Sequence, residues 1–128
     1  MAIEIGLQGL AETLVEKEDT AQAVGSGDLM VYATPCMVAL MEGAACESVA
    51  PFLADGESTV GTSMEVKHLS ATPVGMEVRA ESKVTAVDGR RITFEIVACD
   101  EAGEIGRATH ERVIVKAERF LEKAYDKL

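Results

Sequence analysis

The 128 residues include 12 Lys and Arg against 22 Asp and Glu, a net charge of −10, and 48% are hydrophobic. That balance excludes a nucleic-acid or anionic-membrane surface, which needs a basic face, and it excludes a disordered chain. One domain spanning residues 1–128 is expected, and three cysteines without a CxxC spacing, two histidines and no signal-like start predict a reduced cytoplasmic protein with no metal centre and no cofactor.

In chain order, Thr13-Leu14-Val15 predicts a first strand and Gly25-Ser26-Gly27-Asp28 a flexible turn. From Ala33 to Cys46 the chain is apolar on most faces and predicts a buried helix. Thr34 is its expected N-cap, Pro35 its N1 residue, and its end falls near Phe52. The period then changes to two. Val60, Thr62, Met64, Val66 and His68 share one face of a strand, and Met76 to Ala86 repeat the alternation. Asp88-Gly89 is a hairpin turn, followed by Ile92, Phe94, Ile96 and Ala98 on an inward face. A last strand runs from Glu104 to Val115, and helical spacing returns with Ala117, Phe120, Leu121, Ala124 and Leu128.

A long apolar helix followed by a four-stranded antiparallel meander with one apolar face predicts an α+β hotdog fold. In that fold an antiparallel sheet wraps around a central helix. Its exposed edge predicts a homodimer, with a dimer of dimers as the next assembly.

Glu42 is the only charged residue between Ala33 and Cys46. A buried unpaired carboxylate is costly in a core and useful in acyl transfer or acid–base chemistry. His68 is in phase with Val60 and Met64, so it should face the helix and pair with Glu42. Thr34 is either a simple cap or a hydroxyl placed at a helix N-terminus, whose free N–H groups suit an oxyanion. Thr34 and Glu42 are eight residues apart, roughly 12 Å along a helix, so either the helix begins after Thr34, or two subunits share the site, or a substrate and water bridge the two; a site at the dimer interface is the expectation carried forward. Gly61 lies early in the His68 strand and could line the same pocket. Arg112 would hold a carboxylate, a carbonyl or a substrate anion, and Arg90 and Arg91 are candidates for contacting phosphates.

Several segments together resemble the fluoroacetyl-CoA thioesterase-like family of hotdog proteins. They are Val24 to Pro35, Gly61-Thr62, His68 to Met76, Val87 to Arg90, and Thr109-His110-Glu111-Arg112. The resemblance covers nearly all the chain after about residue 20 and implies an acyl-CoA thioesterase. It implies catalysis by Thr34, Glu42 and His68, with Gly61 and Arg112 in support, acting on a small or medium acyl-CoA ester in which coenzyme A is part of the substrate. Fluoroacetate-specific members carry a bulky aromatic lid before the helix. Here the comparable Gly25-Ser26-Gly27-Asp28 contains no Phe, so the implied chemistry is kept while the acyl group differs. A non-catalytic acyl-CoA-binding module is the alternative. A hydratase is disfavoured because no His lies between Thr34 and Phe52.

Overall fold

A computed structural model describes residues 2–128. Its strands are β1 (Gln8–Leu14), β2 (Glu57–His68), β3 (Glu77–Asp88), β4 (Arg91–Asp100) and β5 (Gly103–Lys116). The helices are α1 (Ala21–Val24), α2 (Thr34–Val49) and α3 (Ala117–Tyr125), and a 3₁₀ turn, Ala50–Phe52, extends α2. The five strands form one antiparallel sheet in the order β1-β3-β4-β5-β2. It curls around α2, which is the hotdog arrangement. Among the described residues, no helix is long and apolar enough to cross a membrane.

One expectation is corrected here. β3, β4 and β5 form a meander, but β2 pairs with β5 rather than with β3. The segment after His68 therefore crosses to the other side of the sheet, and β2 becomes an edge strand. Alternation identifies a strand's faces but carries no information on its neighbour.

The helix is buried along Met37, Met41, Ala44, Ala45, Ser48 and Val49, a stripe at spacings of three and four. The sheet meets it with Val78, Ala80 and Val84 of β3 and with Ile92, Phe94, Ile96 and Ala98 of β4. Each fully buried large side chain, such as Met37 or Phe94, contributes about 1.5–3 kcal/mol. The alternation of β3 stops at Val84 because a bulge shifts the register, and Ala86 turns outward. Polar groups in the core are bonded: the Ser82 hydroxyl donates to Ala44 O (3.0 Å) and the Ser48 hydroxyl to Ala45 O (2.7 Å).

Gly9 lets α2 come this close to β1. A Cβ there would collide with Ala44 O and reach Ser48 Cβ and Ser82 Oγ at 2.8 Å. Gly9→Ala is expected to cost about 1–3 kcal/mol through overpacking, read as a lower urea midpoint at unchanged slope. An unshifted midpoint would show that helix and strand separate freely.

Candidate active site

The segment before α2 is laced to the loop after β2. Val31 and Pro73 form a bridge, Tyr32 N donates to Thr72 O (2.8 Å), and Ala33 N donates to Asp19 O (2.8 Å). This lacing sets the start of α2 against the end of β2. Ala33 has the extended N-cap conformation and Thr34 is the first helical residue, so the expected Thr34 cap is displaced by one position. Cys36 N and Met37 N both turn to Ala33 O, and Pro35 has no N–H. The Thr34 hydroxyl, released from capping, lies 2.7 Å from His68 Nδ1.

His68 faces the helix with Met64 and Val66, but the bulge between Gly61 and Ser63 puts Thr59 and Gly61 on that face in place of the expected Val60 and Thr62, and His68 meets Thr34 rather than Glu42. Burial pushes the imidazole below its ordinary pKa, and a backbone hydrogen bond with Ser70 partly opposes this. His68 Nε2 is buried without a partner. Thr34 and His68 line a cleft of about 280 Å³ together with Tyr32, Ser26, Leu69 and Ser70. Three larger clefts, about 450, 500 and 680 Å³, lie among charged residues such as Glu118, Lys83 and Glu95 and include none of the predicted site residues.

Two turns further along α2, Glu42 belongs to a second cluster. The sequence predicts a buried Glu42 paired with His68; its side chain is instead 40% exposed, and Oε2 accepts from Arg112 Nη1 at 2.9 Å. Arg112, 7% exposed at the side chain, also donates from Nε to Thr59 Oγ1 (2.9 Å) and from Nη2 to Thr59 O (3.0 Å). Gly61 is paired with Arg112 in the β2–β5 register. A Cβ on Gly61 would stand 2.6 Å from Glu42 Oε2, so the bare backbone is what admits the carboxylate.

His110 joins this cluster and was not singled out from the sequence. Its signal was its place two residues before Arg112, on the same strand face. Arg112 Nη1, which can only donate, lies 3.2 Å from His110 Nε2. Nε2 therefore accepts, and Nδ1 carries the proton and donates to Ser63 O at 2.7 Å. The neutral form fits its lowered pKa, caused first by burial and also by Arg112, with Ser63 O and Glu42 pulling the other way.

Within one protomer the clusters stay apart. They are separated by roughly 12 Å along α2 and by seven residues, roughly 23 Å, along β2. Arg90 and Arg91, considered for phosphates, are engaged by Glu57 (3.4 Å) and Glu111 (3.5 Å).

A hydroxyl bonded to an imidazole, and a carboxylate held by a guanidinium beside a bare glycine, are parts suited to acyl transfer. The sequence profile of the fluoroacetyl-CoA-specific thioesterase family matches residues 15–118. The chain belongs to this family. The fluoroacetyl-CoA thioesterase of Streptantibioticus cattleyicolor is 41% identical over 97 residues, covering 76% of this chain and 70% of that enzyme. A threonine-to-serine variant of the fluoroacetyl-CoA thioesterase FlK in complex with acetyl-CoA superposes with a TM-score of 0.93 at 32% identity, covering 98% of both chains. A thioesterase-superfamily protein from Thermus thermophilus superposes at 0.87 with 31% identity, covering 99% of this chain and 98% of that one.

Proposed function

We propose that the protein hydrolyses small or medium acyl-CoA thioesters as a homodimer. Each site would combine Thr34 and His68 of one protomer with Glu42, Gly61 and Arg112 of the partner subunit. The 2.7 Å contact between Thr34 Oγ1 and His68 Nδ1 carries this reading. It joins a nucleophile-type hydroxyl to a base within hydrogen-bond reach, at a distance that capping alone would not require. The membership of the chain in a thioesterase family supports the reaction class.

The edge position of β2 supports the dimer. A twofold axis between Met64 and Glu65, midway from Gly61 to His68, would pair β2 with its copy and set His68 opposite Gly61 of the partner subunit. The two half-sites then complete each other. Arg112 holds Glu42 Oε2, leaving Oε1 for the thioester carbonyl carbon or for the water that attacks it. Where water attacks, His68 takes its proton and returns it to the departing sulfur; where Glu42 Oε1 attacks, coenzyme A leaves as the thiolate and water then hydrolyses the acyl–Glu42 anhydride, so that by either route thioester and water become free acid and coenzyme A thiol.

Thiol release from short, branched, aromatic and long acyl-CoA esters tests the proposal. Turnover of at least one ester, lost in His68→Ala, is expected. Binding of the esters with no thiol release would replace it with the acyl-CoA-binding module.

The pH profile is a second test. His68 works as a base when neutral, and its pKa lies below the ordinary 6.5. Plots of kcat/KM against pH should therefore rise from the acid side with a midpoint below 6.5 and then level. The sign for stability is the same: with the folded pKa depressed, the unfolded chain binds more protons, and the fold loses stability as pH falls from about 6.5 through the folded pKa. A kinetic midpoint above 6.5 would contradict a desolvated His68 base.

A further inference from the structure

Arg112 uses four of its five N–H donors. Thr59 anchors the Nε and Nη2 edge of the guanidinium. The remaining corner, Nη1, grips Glu42 Oε2 and is itself held by His110 Nε2. His110 is 1% exposed and lies beside the Phe94 ring at a centroid distance of 5.9 Å. Its Nδ1–H is tied to Ser63 O on β2, just past the bulge that follows Gly61. His110 Nε2 is 3.8 Å from Glu42 Oε2, so the two acceptors do not bond each other but share one nitrogen. All three side chains press on the same bare backbone, since a Gly61 Cβ would meet Glu42 Oε2, His110 Cε1 and Arg112 Nη1 within 3.3 Å.

We infer that His110 is a positioning residue for the thioesterase reaction: its Nε2 lone pair fixes the Nη1 corner of Arg112 and so aims the Glu42 carboxylate, without touching substrate. The inference rests on Glu42 acting at the site proposed above. The chain of anchors runs from Ser63 O through His110 to Arg112 and ends at Glu42. Without the His110 acceptor, an Arg112 proton points into a buried space with nothing to receive it, and the guanidinium turns to find a partner. Glu42 turns with it.

Two substitutions separate this role from a merely structural one. In His110→Asn the side-chain amide can still donate to Ser63 O but is too short to accept from Arg112. In His110→Gln the amide oxygen reaches the place of Nε2 and accepts from Arg112, while the tie to Ser63 is lost. For His110→Asn we expect kcat to fall roughly 10- to 100-fold with KM within a few-fold, as small misplacements of catalytic groups do. For His110→Gln we expect kcat about tenfold above that of His110→Asn. In an Arg112→Lys background, His110→Asn should add less than about threefold, because both changes break one connection. Equal losses in Asn and Gln, a greater loss in Gln, or fully multiplicative losses with Arg112→Lys would overturn the inference.

Nitrogen-15 NMR of the arginine side chains, without substrate, provides a readout independent of turnover. Slowly exchanging Arg112 N–H signals are expected in the parent and in His110→Gln, and rapidly exchanging ones in His110→Asn. Protected signals in His110→Asn would refute the inference even if no ester is turned over, whereas absent turnover with the expected signals would refute only the proposed reaction.

Discussion

Glu42→Gln is expected to lower kcat for thioester hydrolysis by roughly 10²- to 10⁴-fold, the range for a lost acid–base or nucleophilic group. The change is close to isosteric. The glutamine oxygen can still accept from Arg112 Nη1, and the space bounded by Gly61 stays filled. What disappears is the negative charge and the basicity of the free oxygen. The fold should tolerate this. Glu42 is 40% exposed, so its pairing with Arg112 is screened by solvent, and the stability loss should be about 1 kcal/mol or less. Substrate binding through other groups should persist, leaving KM within a few-fold. Saturation kinetics with a thiol-trapping dye measures both constants, and a melting curve checks the fold. An unchanged kcat with a raised KM would make Glu42 a binding group and sink its chemical role. An unchanged kcat and KM would remove it from the site altogether.

Much of this site was legible before any coordinates. Glu42 stood out because it interrupts an apolar helix, and His68 because its phase sets it on the concave face of the sheet. Their pairing was not legible, and the reason is one of length and direction. Phase tells which face a side chain occupies, not how far along the element it sits. A helix advances about 1.5 Å per residue and a strand about 3.3 Å. Nor does phase tell in which direction one element runs past the other: α2 and β2 run in opposite directions, so the start of the helix meets the end of the strand. Gly61 ends beside Glu42, and His68 ends with Thr34, at the far end of the strand. Strand order failed for a related reason. The alternations of β2 and β3 look alike, and only the path of the intervening segment, bridged at Val31–Pro73, sends β2 to the β5 edge. His110 was visible as a neighbour of Arg112, but a buried histidine on an apolar face usually has an ordinary structural role. Its partners, Ser63 O and Arg112 Nη1, come from the β2–β5 register and not from spacing.

A mixed dimer decides whether the two clusters work together across subunits. Thr34→Ala and Glu42→Gln should each be inactive as homodimers, because every site lacks one member. Co-expressed with two different tags and purified as the mixed dimer, they should recover about half of the wild-type turnover. In such a dimer one site joins the intact Thr34 of one chain to the intact Glu42 of the other, while the second site carries both defects. The mirror experiment pairs a wild-type chain with a Thr34→Ala, Glu42→Gln double variant. Each site then holds one defect, and turnover should drop to background. Sites contained within one chain predict the reverse: no recovery in the first dimer and about half activity in the second. A chain that stays monomeric would yield no doubly tagged species, and the shared site would fall with the dimer. The intrachain geometry favours the first outcome. Roughly 12 Å along α2 is beyond the reach of any hydrogen bond from Thr34 to Glu42, and each cluster is internally bonded yet leaves one reactive atom free: His68 Nε2 in the first and Glu42 Oε1 in the second. A thioester carbonyl needs both, and the β2 edge is where a second copy would supply the missing half.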